Sequence, residues 1–190
     1  MQKNIWIILA VSFLFACTNN GAGKKDTEQK KEVPPAAAAG QKSIPSEISK
    51  RVGNTTIKIA YTAPAVRGRV IWGKLVPYDK IWVTGAHNAT SLEIGEDFRV
   101  GNKTIPAGKY ALFTIPGKEQ WTVILNKNWN QHQADDYKES DDMVRLKVEP
   151  KITEQVVERL KFEIDQTGER TANVIMSWEK IRVPFSIEIL

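Results

Sequence analysis

The sequence predicts an all-β protein folded as a single antiparallel β-sandwich, either jelly-roll-like or shaped as a flattened barrel. From residue 45 onward, about ten short runs alternate apolar and polar residues, the period of a strand with one buried face. Turns rich in Gly, Pro and Asn separate the runs at hairpin length, which favours antiparallel pairing. No segment carries a long helical period, so the expected layers are two sheets around one core.

The first predicted strands lie between residues 55 and 105. The hairpin 98–105 is indicated by Gly101-Asn102, a two-residue turn signal. Gly85 to Asn88 is a loop, and residues 75–80 are a turn around Pro77. The predicted strands are Thr55–Tyr61, Arg67–Trp72, Lys80–Thr84, Thr90–Ile94, Phe98–Val100 and Lys103–Ile105.

The second half of the domain continues the same alternation after the turn at Pro106-Ala107-Gly108. A short helical segment at Thr153–Leu160 is the one departure that we expect. Residues 126–142 form a polar insertion, long enough to be either functional or mobile. The predicted strands are Tyr110–Ile115, Trp121–Leu125, Met143–Val148, Glu158–Asp165, Thr171–Trp178 and Val183–Ile189.

The composition indicates one ordinary globular domain with tails. Of the 190 residues, 42% are hydrophobic and 26% are charged. The net charge of +5 is mild, and much of the lysine lies in the low-complexity segment 24–50. The folded part mixes basic and acidic residues throughout, whereas a nucleic-acid binder carries a basic stripe. No nucleic-acid partner is therefore expected.

Residues 1–16 have the parts of a lipoprotein signal peptide. Lys3 precedes an apolar run, IWIILAVSFLF, which is too short to span a bilayer stably. The run ends in Leu14-Phe15-Ala16-Cys17, which resembles the bacterial lipobox. In that pathway the Cys sulfur is diacylated and the chain is cut before it, which gives a durable membrane anchor. The alternative is an ordinary signal peptide with a chance cysteine.

Cys17 is the chain's one cysteine, so neither an intrachain disulfide nor a cysteine metal cluster can form. Residues 17–44 are polar, then rich in Pro and Ala, as expected of a disordered tether. Residues 18–21 lack the acidic run that sends some lipoproteins to the cell surface. We therefore expect a bacterial cell-envelope protein, anchored through its N-terminal lipid and facing the periplasm, with its β-sandwich at residues 45–190.

Several motifs carry a resemblance to a known family. They are LVPY at 75–78, TGA at 84–86 and PAGKYALFTIPG at 106–117. These motifs are similar to domain-of-unknown-function family 2911, whose members are secreted or lipid-anchored bacterial proteins with no established activity. The resemblance implies an all-β fold and an envelope location. The family usually reads WRTGANEAT where this chain reads WVTGAHNAT, so Val83, His87 and Asn88 replace Arg, Asn and Glu.

A metal-dependent or histidine-assisted hydrolase is one functional hypothesis. His132 with Asp135 and Asp136 offers two or three ligands for a divalent metal, although the spacing is not diagnostic. His87 would have to activate Thr84, Thr90 or Ser91, and no nucleophile elbow surrounds them. The non-functional alternatives are that His132 and its aspartates form a solvated acidic loop, and that His87 is a loop histidine hydrogen-bonded to the backbone. Whether the chain is an enzyme stays open, and no cofactor is predicted.

The functional hypothesis that we favour is that the domain is a binding module. Exposed aromatic rings stack on sugars or hold cations, and polar neighbours fix the ligand's orientation. Trp82, Trp121 and Trp178 are expected in the core, whereas Trp129 is the best candidate for exposure. The partner is a small molecule, a glycan or a protein, and an envelope scaffold is the further alternative. The predicted site is the loop 85–90 together with the insertion 126–142, and its residues are Arg69, His87, Asn88, Thr90, Tyr110 and Trp129.

Overall fold

A computed structural model describes residues 42–190. This part of the chain forms ten strands and one short 3₁₀ turn (Glu139–Asp141), without an α-helix. The strands are β1 (Ser43–Val52), β2 (Thr55–Pro64), β3 (Thr90–Ile94), β4 (Phe98–Val100), β5 (Lys103–Ile105), β6 (Gly108–Ile115), β7 (Trp121–Asn126), β8 (Asp142–Val148), β9 (Lys151–Gln166) and β10 (Thr171–Ile189).

The strands make two antiparallel sheets that pack face to face. One sheet has six strands in the order β1-β2-β3-β6-β7-β8, and the other has four in the order β5-β4-β10-β9. Within residues 42–190 the sheets do not close into a barrel, which confirms the predicted sandwich. An isolated bridge between Ala65 and Arg159 joins the end of β2 to β9 in the other sheet.

The core lies between the two sheets and follows the predicted alternation. On β2, Ile57 and Ile59 face inward and are fully buried. On the long strand β10, Val174, Met176 and Trp178 do the same from the opposite sheet. The register shifts on either side of Glu179, which has a φ of 54°, and this bulge bends the strand as it passes along the sheet.

A second apolar cluster covers the outer face of the six-stranded sheet. Leu112 and Leu125 face the main core, so their neighbours Phe113 and Ile124 point outward, yet both are fully buried. They are covered by Val83 and Ala89 and by partly buried residues that include Tyr137. The segment before β3 and the polar insertion therefore rest on this outer face, and the cluster fixes both segments in place.

Two of the predicted strands are wrong. Arg67–Trp72 forms turns instead, because Arg67 and Gly68 both adopt left-handed backbone conformations. Ile71 is buried and Val70 is exposed, as in a strand, but among the described residues the segment pairs with no strand and makes only an isolated bridge between Trp72 and Val76. Lys80–Thr84 touches the sheet only at Trp82, which exchanges two backbone hydrogen bonds with Thr114, and the left-handed Thr84 then turns the chain away.

The predicted helical segment at Thr153–Leu160 is also wrong. These residues lie inside β9, where Val157 pairs with Glu179 and Ile152 pairs with Ile181 of β10. Tertiary pairing with the neighbouring strand therefore overrides a weak local preference. Strand β1 was not predicted, because SIPSEISKRV has an irregular apolar pattern and a proline; it is an edge strand of the six-stranded sheet, where proline is tolerated.

The predicted signal peptide, the lipidated Cys17 and most of the tether lie outside the described residues. Within residues 42–190, no helix has the length and apolar character needed to cross a bilayer.

Candidate functional site

The loop 85–90 and the polar insertion are held together by backbone hydrogen bonds. Asn88 and His132 form an antiparallel bridge, and the amide of Ala89 donates to the carbonyl of Gln131 at 3.0 Å. On the other side of the bridge, the amide of Gln133 donates to the carbonyl of His87 at 2.6 Å. The two segments that the sequence indicated as the site are thus adjacent, and they form a common wall between two recesses.

The first recess, which we call the amide groove, has a volume of about 450 Å³. Strands β1 and β2 contribute one side, and the loop and the insertion contribute the other. Its lining residues are mostly short polar, amide or aromatic, with one carboxylate: Pro45, Ser46, Glu47, Ala60, Tyr61, Thr62, Asn88, Ala89, Ser91, Trp129, Asn130 and Gln131. This volume falls in the range of small-molecule sites.

Trp129 is the exposed aromatic residue of the amide groove. Its side chain is 40% exposed, as the sequence predicted. The Nζ atom of Lys109 lies 4.0 Å from the ring centroid, a cation–π contact that holds the indole against the surface. One face of the ring is therefore occupied by an ammonium group, which limits the ways in which the side chain can rotate.

Gln131 provides a buried hydrogen-bond acceptor beside Trp129. It is 4% exposed, and its Nε2 donates to the carbonyl of Asn128 at 2.5 Å. Its Oε1 is buried without a hydrogen-bond partner among the described residues. A buried, unpaired amide oxygen is costly, so a residue of this kind is informative at the wall of a groove.

Tyr61 is the second aromatic residue of the amide groove. Its ring packs edge to face against Phe162 at 4.9 Å, and its hydroxyl accepts a hydrogen bond from the backbone amide of Phe162. Burial raises the pKa of this hydroxyl above its usual range. Tyr61 is consequently a neutral, fixed part of the wall at neutral pH.

The second recess, which we call the loop cavity, lies on the other side of the shared wall and measures about 290 Å³. It is lined by Pro64, Arg69, Leu75, Val76, Trp82, Val83, Gly85, Ala86, His87, Gln133 and Trp178. No carboxylate belongs to this lining, whereas an arginine and a histidine do. The two recesses share no lining residue.

Arg69 is positioned by the backbone at the end of β2. Its Nε donates to the carbonyl of Val66 at 3.1 Å, and its Nη2 donates to the carbonyl of Ala65 at 2.5 Å. These bonds fix the guanidinium plane at the edge of the loop cavity. Of the nitrogens in the group, Nη1 makes no hydrogen bond to the described residues.

Four tryptophans pack together in the core, and two of them, Trp82 and Trp178, line the loop cavity. Trp72 meets Trp82, Trp121 and Trp178 edge to face at centroid distances of 5.8, 5.0 and 5.7 Å, and Trp82 stacks on Trp178 at 5.8 Å. Trp82 donates its indole N–H to the carbonyl of Gly85 at 3.0 Å. The indole nitrogens of Trp72 and Trp178 are buried without an acceptor in the described part of the chain.

Thr90 and Tyr110 line neither recess. Thr90 is fully buried, and its hydroxyl donates to the carbonyl of Thr84, which holds the turn before β3. Tyr110 packs against Phe98 and donates its hydroxyl to the carbonyl of Pro106. The structure gives these two residues contacts that stabilise the fold.

His132, Asp135 and Asp136 lie on the exposed side of the insertion. The Nδ1 atom of His132 is 3.3 Å from a carboxylate oxygen of Asp135, and both side chains are largely exposed. Within residues 42–190, no group of three or more His, Cys, Asp and Glu side chains is arranged to hold a metal ion.

The insertion is tied to the sheet by a partly buried polar network. Asn126 is fully buried; its Nδ2 donates to the carbonyl of Lys138 and to Asp142, and its Oδ1 accepts from the amide of Asn128. The Tyr137 hydroxyl donates to Asp142 at 2.7 Å, and Arg145 donates to both. This network holds Trp129 and Gln131 in position beside the groove.

The site contains residues that the sequence analysis did not select. Tyr61, Gln131 and Gln133 line the recesses, and Trp178 belongs to the loop cavity as well as to the core. The polar character and the length of the insertion indicated this segment as a candidate, but no local pattern indicated which of its amides would be buried.

The fold and its two recesses define an antiparallel β-sandwich domain with a candidate ligand site on a wall formed by a loop and an insertion. The chain belongs to the family described as "Protein of unknown function (DUF2911)", whose model matches residues 43–187. The family predicted from the motifs is therefore confirmed. No curated protein and no solved structure matches the sequence.

Proposed function

We propose that the protein is a lipid-anchored binding module of the bacterial cell envelope, and that its amide groove takes a neutral, hydroxyl-rich ligand of the glycan class. The carrying observation is the exposed indole of Trp129 beside a groove whose other groups are mainly amides and hydroxyls. A flat ring binds the apolar face of a sugar, while amides and hydroxyls exchange hydrogen bonds with its rim.

Gln131 supports a ligand that donates hydrogen bonds. Its buried Oε1 has no donor within the described residues, and a sugar hydroxyl or acetamido N–H is such a donor. The one carboxylate of the groove, Glu47, forms an ion pair with Lys58 at 3.0 Å, so the groove does not offer a free negative charge. A neutral ligand suits this balance better than a cation or an anion.

Titration of the full-length protein with chitotriose and maltotriose, followed by tryptophan fluorescence and calorimetry, tests the groove. We expect saturable binding of at least one of these sugars. Trp129→Ala and Asn88→Ala should each weaken it about tenfold or more, equivalent to about 1.4 kcal/mol. Ile152→Ala and Asn102→Ala are matched controls, because they remove an exposed apolar residue on β9 and an exposed amide in the β4–β5 turn.

The opposite result is equally informative. If neither sugar binds, or if Trp129→Ala binds as the unmodified protein does, the glycan proposal fails. A protein captured from the envelope by crosslinking through this same face would then favour the scaffold alternative. If a divalent metal raises the melting temperature of the protein, and substitution of His132 or Asp135 abolishes that increase, the hydrolase alternative is favoured.

The membrane anchor is tested separately through Cys17. Its position after Leu14-Phe15-Ala16 supports lipidation and a periplasmic orientation. We expect Cys17→Ser to release the protein from the membrane fraction into the soluble fraction. Continued sedimentation of this variant with membranes would contradict the lipid anchor without bearing on the groove.

A further inference from the structure

The loop cavity differs from the amide groove in the charge and polarity of its unpaired groups. Within the described residues its unpaired groups are hydrogen-bond donors, namely the Nη1 of Arg69 and the indole N–H of Trp178. His87 lies in the same lining, and its imidazole carries at least one further ring N–H. The amide groove instead carries an unpaired acceptor, the Oε1 of Gln131.

We propose that the loop cavity is a second site, which binds a small monocarboxylate with an apolar body. Arg69 supplies the positive charge that attracts the carboxylate. No acidic side chain lines the cavity, so none there neutralises this charge. Arginine binds carboxylates through parallel N–H bonds, and its Nη1 has no partner among the described residues. The carboxylate is thus held at the edge of the cavity, at the end where the backbone fixes Arg69.

Trp178 supplies the second observation. It is 1% exposed, it contributes to the cavity wall, and its indole N–H has no acceptor within residues 42–190. Leaving a buried donor unpaired costs free energy, and this cost is recovered when one oxygen of the carboxylate held by Arg69 accepts from the indole N–H. The pairing also gives specificity, because a ligand without an acceptor leaves the donor unpaired as before.

The remaining wall suits a short apolar body. Val76, Trp82 and Trp178 are apolar and mostly buried, and Leu75 is partly exposed at the same recess. A cavity of about 290 Å³ lies at the small end of ligand sites, so it takes a group of the size of a benzene ring or a short alkyl chain. This site goes beyond the proposed glycan groove and shares no lining residue with it.

The experiment titrates the full-length protein, purified in mild detergent, with benzoate and in parallel with benzamide. Calorimetry measures affinity, and the indole N–H resonances of protein labelled with ¹⁵N-tryptophan report the contact. We expect benzoate to bind saturably with a shift of the Trp178 signal. Benzamide, which has the same shape without the charge, should bind at least about tenfold more weakly, equivalent to 1.4 kcal/mol.

Variants with matched controls separate the site from general effects on the fold. Arg69→Gln should abolish benzoate binding, and Arg69→Lys should recover part of it; Arg67→Gln removes a neighbouring exposed charge and should leave it unchanged. Trp178→Phe should weaken it while Trp72→Phe does not, because both remove an unpaired buried indole N–H but only Trp178 lines the cavity.

Either of two results overturns the proposal. One is the absence of saturable benzoate binding, and the other is binding that survives Arg69→Gln unchanged. If Trp178→Phe fails to fold, the comparison of Arg69→Gln with Arg67→Gln still decides. Because the sugar titration depends on Trp129 and Asn88, failure at one recess is distinguishable from failure at the other.

Discussion

The backbone amide of Gln133 donates to the carbonyl of His87 at 2.6 Å, and both residues have a left-handed backbone, with φ of 47° and 65°. This contact ends the short ladder that joins the loop 85–90 to the insertion. Because the chain reverses at both residues, Asn88 lines the amide groove while His87 lines the loop cavity. One hydrogen-bonded wall therefore positions both recesses.

Substitution of His87 tests this conformation. Non-glycine residues with positive φ are uncommon, but Asn tolerates it well, whereas a β-branched residue does not. We expect His87→Asn to change the free energy of unfolding by less than about 0.5 kcal/mol. His87→Val should lower it by about 1–2 kcal/mol. Urea denaturation measures both values.

The adjacent residue provides the control for His87. Asn88 is also exposed but is not in the left-handed region, so Asn88→Val should have little effect on stability. If His87→Val and Asn88→Val lower the free energy of unfolding equally, the left-handed backbone conformation at His87 does not explain the effect of the substitution.

Removal of the Asn126 side chain should release the insertion. Its side chain is buried and makes three hydrogen bonds, each of which contributes about 1 kcal/mol, so Asn126→Ala should lower the free energy of unfolding by about 3 kcal/mol. Hydrogen exchange should increase across residues 127–141, because the carbonyl of Lys138 and the amide of Asn128 lose their partner. Asn102→Ala, at an exposed turn, should do neither. Unchanged exchange in the insertion would mean that other contacts hold it.

The sandwich was predictable because burial imposes its period on the sequence. Ile57 and Ile59 of β2, and the alternating residues of β10, show a clean period of two because one face is buried and the other is not. The segment 67–84 misled the prediction for the opposite reason. Its apolar residues Ile71, Trp72 and Val76 close the end of the core from turns, so they carry the composition of strands without the pairing.

The candidate site was predictable only in part. The loop 85–90 and the insertion 126–142 were identified from their polar residues, their glycine content and their length, which are local properties of the sequence. That Gln131 is buried, or that Trp178 borders a recess, depends on the contact between segments far apart in the sequence. Thr90 and Tyr110 resembled site residues because they stand beside the loop and in the motif, yet their hydroxyls are bound to backbone carbonyls.

The tryptophan cluster allows the indole hydrogen bond of Trp82 to be measured. Trp82→Phe and Trp72→Phe remove similar volumes from partly buried positions in the same cluster. Within residues 42–190, the indole N–H of Trp82 has an acceptor, the carbonyl of Gly85, whereas that of Trp72 has none. We expect Trp82→Phe to be less stable than Trp72→Phe by about 1 kcal/mol in thermal or urea unfolding. If the two variants are equally stable, the indole hydrogen bond of Trp82 makes no net contribution, because water replaces it at the Gly85 carbonyl.

Tyr137 makes stability depend on alkaline pH. Burial, its hydrogen bond to Asp142 and the charge of that carboxylate raise the pKa of the Tyr137 hydroxyl above its ordinary value near 10. Between the ordinary pKa and the raised one, the unfolded chain loses this proton while the folded chain keeps it. The folded state then binds more protons, so the free energy of unfolding falls as pH rises above about 10.

Tyr137→Phe separates this contribution from that of the other tyrosines. At pH 7 the variant should be less stable by about 1.5–3 kcal/mol, because the largely buried Asp142 loses a hydrogen bond to its charge. Above about pH 10 the two proteins should converge, since only the unmodified chain loses the Tyr137 contribution. Burial also raises the pKa values of Tyr61 and Tyr110, so the free energy of unfolding of both proteins still falls somewhat with rising pH. Urea unfolding from pH 7 to 11 measures the convergence, and parallel curves would show that Tyr137 ionises equally in the folded and unfolded chain.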